Sequence, residues 1–116
     1  MSLLTLEQAN GIARQALLYD KRWRIGYTVV VGITDDGEVR VRVIKSNIEK
    51  GSLTWNRIYD NYKGYALLYT SRDFYENGNA THTPEGLREE IYKWANRDIG
   101  ILLGEEVWYN RKEVNG

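Results

Sequence analysis

The chain reads as a single α+β domain spanning residues 1–116: an antiparallel sheet of three to five strands, with N-terminal and C-terminal helices packed mainly on one face. Three observations predict it. A valine-rich hairpin occupies residues 25–44, with strict alternation in its second arm. Segments with helical spacing and cap residues stand on either side of it. A chain of 116 residues is also long enough to bury roughly two-thirds of its unfolded surface in one core.

The first helix is expected from Leu6 to Asp20. Thr5 is a good N-cap, and Gln8 three residues on completes a capping box. Leu6, Ala9, Ala13, Ala16, Leu17 and Asp20 share a side, with Ile12 beside them, and the alanines suit close packing on a sheet. Gly11 costs about 1 kcal/mol in a helix interior, so this helix depends on tertiary packing.

The hairpin can be read to its register. A two-residue Asp36-Gly37 loop would set Ile33 opposite Arg40 and Val31 opposite Arg42. A three-residue loop, Asp35-Asp36-Gly37, pairs Ile33 with Val39, Val31 with Val41 and Val29 with Val43. The second keeps arginine off the apolar face and matches a type I turn closed by a left-handed glycine. Tyr27, Val29, Val31, Ile33, Val39, Val41 and Val43 then form a buried face. Thr28, Val30, Gly32, Thr34, Glu38, Arg40 and Arg42 form the other, and Arg24 shares that parity. That outer face offers three arginines around a glycine that another group can approach closely.

Residues 46–52 form a loop. Trp55, Ile58, Tyr59 and Tyr62 follow helical spacing, with Ser52 or Thr54 as cap and Gly64 as terminator. The same stretch is rich in strand formers, so the alternative is a fourth strand in a meander. Residues 65–71 read as a strand, central because Leu67 and Leu68 face opposite sides and both are apolar. Asp73 to Thr83 reads as a long polar loop with a turn at Asn77-Gly78. In the last helix Thr83 is the cap, Pro84 the first residue, and Leu87, Ile91, Trp94 and Ala95 the apolar stripe, with Glu89 and Lys93 paired outside. It is expected to end near Arg97, followed by short strands at 99–103 and 107–109 and a polar end.

Composition narrows the chemistry. There is no cysteine, which excludes disulfides and thiolate metal sites. Sixteen basic and sixteen acidic residues balance, unlike the basic excess of a dedicated nucleic-acid binder. No secretory signal or bilayer-length apolar run is seen, so the expected location is cytoplasmic, away from membranes. Asn79-Ala80-Thr81 matches a glycosylation acceptor and, without such a signal, reads as chance. Nine tyrosines and four tryptophans against one phenylalanine favour half-buried and interfacial positions.

Catalytic candidates are few. His82 is the sole histidine, in a loop before a helix; a general base there would need a nucleophile and an orienting carboxylate, and Ser71, Asp73 or Glu76 would have to supply them. Asp35-Asp36-Gly37-Glu38 is explained by the hairpin turn rather than by a metal, and glycines 26, 32 and 37 open no helix that could cradle a phosphate. No catalytic, metal or cofactor residues are assigned. The leading expectation is a non-enzymatic module binding another protein or a second copy of itself, as an adaptor, an inhibitor or immunity protein, or a mobile-element accessory. Trp55, Tyr59, Tyr62, Trp108 and Tyr109 are its candidate contacts. The first alternative is a nucleic-acid binder using Arg24, Arg40 and Arg42, with Tyr65 and Tyr69 stacking bases if they share that face. The second is a small enzyme working through carboxylates or His82.

The run Leu4-Thr5-Leu6-Glu7-Gln8-Ala9, then Ala13, Ala16-Leu17 and a valine-rich strand ending at an Asp-Gly turn, resembles the opening of the haem-degrading, glycolate-operon accessory family. The resemblance covers the first helix and hairpin. The alanine-rich helix expected next is replaced by Trp55-Asn56-Arg57-Ile58-Tyr59, and no activity, ligand or site residue is carried over.

Overall fold

The computed structural model describes residues 3–23, 26–75 and 83–102, the side chains of 20–23 and 75 excepted. The elements run α1 (Leu6–Trp23), β1 (Thr28–Ile33), β2 (Val39–Ile44), α2 (Leu53–Asn61), β3 (Ala66–Thr70), α3 (Ser71–Tyr75) and α4 (Pro84–Leu102). The hairpin takes the three-residue loop. Ile33 stands opposite Val39, Val31 opposite Val41 and Val29 opposite Val43. Gly37 adopts φ 84°, and the Thr34 amide donates to the Glu38 carbonyl at 2.9 Å. A left-handed glycine thus closes the turn, as the pairing of valines requires.

β1 is the central strand, with β2 on one side and β3 on the other, all antiparallel. Every residue of β1 is buried. Val29, Val31 and Ile33 face a core shared with Ala9, Ile12, Ala13 and Ala16 of α1 and Leu87, Ile91, Ala95 and Ile99 of α4. The alanines let α1 lie close, and α1 and α4 pack on one another. The capping box forms as expected: the Thr5 amide donates to Gln8 Oε1 at 2.8 Å and the Gln8 amide to Thr5 Oγ1 at 3.1 Å. Thr83 Oγ1 likewise accepts from the Gly86 amide at the start of α4.

The opposite face is covered as well. α2 is a helix, capped by Ser52, whose hydroxyl accepts from the Trp55 amide. Ile58, Trp55 and Tyr62 pack over Val30, Ala66 and Leu68 in a second, smaller core. Gly32 makes room for Tyr62: a Cβ there would overlap the ring. The molecule therefore has three layers, α1 and α4, then the sheet, then α2.

α1 and α4 share one face of the sheet, and α2, for which no face was expected, covers the other. Several expectations are corrected. Among the described residues β3 is an edge strand, not a central one; Leu67 and Leu68 are both covered because each face carries helices. Ser71 to Tyr75 is a short helix, where the end of a strand and the start of a loop were expected, and it sinks Phe74 to 1 % exposure. α4 continues through 99–102, where a strand was expected. Ile99 extends the Ile91–Ala95 stripe by one more helical step into the core, and burial outweighs local strand propensity. Leu6 is exposed at 46 %, outside the buried stripe of α1. The sheet holds three strands among the described residues. The strand expected at 107–109, the Asn77-Gly78 turn and His82 lie outside the described residues.

Candidate functional site

The segment after β2 is pinned by side chains of the sheet. The Thr28 hydroxyl donates to the Ser46 carbonyl at 2.7 Å and accepts from the Ile48 amide at 2.9 Å. The Ser71 hydroxyl donates to Asn47 Oδ1 at 2.8 Å. Gly26, at φ 78°, leaves space for Asn47 and Ser71. These bonds satisfy buried polar groups and drive Ile48 into the second core. They also set Lys50 beside the end of β3.

The outer edge of β3 is defined by its hydrogen bonds. The Ile33 amide donates to the Tyr65 carbonyl and the Ser71 amide to the Tyr27 carbonyl. In an antiparallel ladder both polar groups of a residue point the same way, and alternate residues point to opposite sides. Odd-numbered residues of β3 therefore bond β1, and the N–H and C=O of Ala66 and Leu68 point away from the sheet. The Thr70 amide, next in that row, donates to Asp73 Oδ2 at 2.8 Å. The Thr70 hydroxyl donates to the same oxygen, so Asp73 holds the end of β3 at the start of α3.

Two recesses flank this edge. One, about 410 Å³, lies toward α2 and is bounded by Ile48, Lys50, Trp55, Leu68, Thr70 and Arg72. The other, about 430 Å³, lies toward α4 and is bounded by Tyr69, Trp94 and Arg97, with Lys50, Leu68 and Asp73 common to both. The edge of β3 is thus the spine of a groove with one tryptophan wall on each side. The walls are rigid for different reasons. Trp55 is held on the second core. Trp94 stacks on Phe74 with ring centres 4.6 Å apart and planes at 5°, and Tyr69 tilts against both rings.

Tyr69 ties the floor to α4. Its hydroxyl donates to Asp98 Oδ2 at 2.6 Å, and Arg97 Nε donates to Asp98 Oδ1 at 2.9 Å. Burial first, then the bond to Asp98 and its charge, push the Tyr69 phenol far above the ordinary tyrosine range. Burial alone would push the Asp98 carboxyl up, but the bonds from Arg97 and Tyr69 outweigh it and hold the carboxyl below the ordinary aspartate range.

The residues singled out in the sequence are dispersed. Arg40 and Arg42 are exposed on β2, and Arg40 lies 3.8 Å from Glu38 in an open ion pair. The close approach to Gly32 is made by Tyr62 of the same chain. Tyr65 and Tyr69 lie on the α1–α4 face, opposite the arginines, so the shared face required for base stacking does not form. Trp55 lines the groove, whereas Tyr59 stands exposed at 38 % on α2. Arg24, Trp108 and Tyr109 lie outside the described residues. Lys50, Leu68, Arg72 and Trp94 were not singled out as site residues; the Thr70–Asp73 spacing was the available signal that the chain turns there and leaves an edge.

Among the described residues no group of three His, Asp or Glu side chains is gathered that could hold a metal ion, and no helix is long and apolar enough to cross a membrane. Comparison with protein-family models, curated proteins and solved structures finds no match.

Proposed function

We propose that this chain is a binding module that takes up an extended segment of another protein along the outer edge of β3. The observation that carries this reading is the edge itself: outward N–H and C=O groups at Ala66 and Leu68, set between recesses walled by Trp55 and Trp94. A strand laid there gains main-chain hydrogen bonds, and its alternate side chains fall into the two recesses. Recesses of this size accept single side chains, and tryptophan walls are characteristic of interface anchors. The other edge, β2, serves this role poorly, because Arg40 and Arg42 line it and charge discourages strand addition.

The test is selection from a library of random linear peptides displayed on phage, followed by measured affinity. Captured peptides should lose about tenfold or more in affinity for a Trp55→Ala variant, with circular dichroism melting to confirm that the variant is folded. Absence of any captured peptide, or capture indifferent to Trp55, overturns the reading. So does a dimer of the chain in light scattering that Trp55→Ala dissociates, since a second copy would then own the edge.

A further inference from the structure

The outer edge of β3 is short, and the fold closes it at both ends. Before it, Gly64 turns at φ 88° and gives its amide to the Tyr59 carbonyl at 3.0 Å. After it, the Thr70 amide and hydroxyl both donate to Asp73 Oδ2, and the chain enters α3. Between these points the outward main-chain groups are those of Ala66 and Leu68. A segment laid beside them runs opposite residues 65–69, a span of roughly five residues.

The recesses are placed toward one end of that span. Both linings include Leu68; one adds Thr70 and the other Tyr69, and neither reaches Tyr65, Ala66 or Leu67. Leu68 faces the α2 side and Tyr69 the α1–α4 side. Residues opposite one another in a ladder point to the same face, and successive residues to opposite faces. The residue opposite Leu68 therefore enters the recess of Trp55. Its neighbour, opposite Tyr69, enters the recess of Trp94. The rims carry both signs of charge, Glu49 and Asp73 against Lys50, Arg72 and Arg97, so a charged side chain of either sign meets its like. A large uncharged side chain avoids that repulsion and still covers the tryptophan.

We infer that this edge recognises a short linear segment, roughly five extended residues long, and reads it through two adjacent large uncharged side chains, one in each recess. This rests on the reading of β3 as a peptide-binding edge. The length follows from the Tyr59 carbonyl and the Asp73 carboxylate, which take the amides on either side of Ala66 and Leu68. Residues added beyond the span find no further edge amide to accept. The adjacency follows from the alternation of faces. Two side chains separated by one residue would share a face and leave one tryptophan uncovered.

Peptides captured in the same phage selection test this when they are shortened from each end and replaced by alanine one position at a time. Affinity should hold within about twofold down to roughly five residues and fall about tenfold or more below that length. Alanine should cost about tenfold at two adjacent positions and little elsewhere. Against Trp55→Ala, alanine at one of the two should cost almost nothing, while the other keeps its full effect. Several outcomes overturn this inference and leave the peptide-binding edge standing, provided that capture depends on Trp55. They are sensitive positions separated by another residue, sensitive positions occupied by Asp, Glu, Lys or Arg, and a minimal length of about eight residues or more. Loss of both sensitivities in Trp55→Ala does the same. Failure to capture any peptide overturns both.

Discussion

Gly32 and Tyr69 show how single residues assign the two faces of the sheet. Gly32 is buried under the ring of Tyr62, where a Cβ would overlap three ring atoms. Gly32→Ala should therefore destabilise the protein by about 1–3 kcal/mol in urea unfolding, the usual cost of overpacking. Tyr69 lies on the other face with its hydroxyl on Asp98. Tyr69→Phe should cost about 1.5 kcal/mol near neutral pH, the low end for a hydrogen bond to a charged group, here a partly buried carboxylate. The pH dependence of that difference has a definite sign. Below the ordinary tyrosine value of 10.0 both folded and unfolded chains hold the phenolic proton, and the stabilisation is fully present. Above it the unfolded chain releases the proton and the folded chain retains it, so the advantage of wild type over Tyr69→Phe should shrink as pH rises. On the acid side Asp98 stays ionised in the fold after it protonates in the unfolded chain, so its stabilisation is lost as pH falls through the folded value. Paired urea titrations of the two proteins across this range read both limbs.

Among the helices, α3 is the shortest and fixes the geometry of the groove. Phe74 is its anchor, stacked between Tyr27 and Trp94. Phe74→Ala should cost about 3–5 kcal/mol in the same assay and release Trp94, seen as a shift in tryptophan fluorescence. α3 was also the element least legible in the sequence. Its polar residues resemble loop, and five residues carry too little periodicity to reveal a helix. The hairpin was legible to its register because seven apolar residues had to share one face, and only one loop length allowed it. α2 was legible by its spacing, but not the face it would cover. That choice depends on Gly32 accepting Tyr62, a contact between distant positions. The end of α4 is hidden in the sequence for a related reason: Ile99 and Ile101 are strand formers locally, yet Ile99 completes a buried helical stripe. Of the groove lining, Trp55, Tyr69 and Asp73 are singled out in the sequence, each for a different role, but not the edge they flank, since an edge strand exists only once strand order is known.

Among the described residues the fold is a three-layer arrangement whose middle layer ends in β3. Two cores, one on each face of the sheet, hold the walls of the groove at separate places: Trp94 belongs to the α1–α4 side and Trp55 to the α2 side. A strand added at β3 would extend both faces at once and bury its alternate side chains against each tryptophan. The most direct test is hydrogen exchange of individual backbone amides, followed by NMR, with and without a captured peptide. The Leu68 amide, which points away from β1, should slow markedly on binding, while the Leu67 amide, already facing β1, should change little. A Leu68 amide that exchanges equally fast in the bound state would contradict strand addition at this edge.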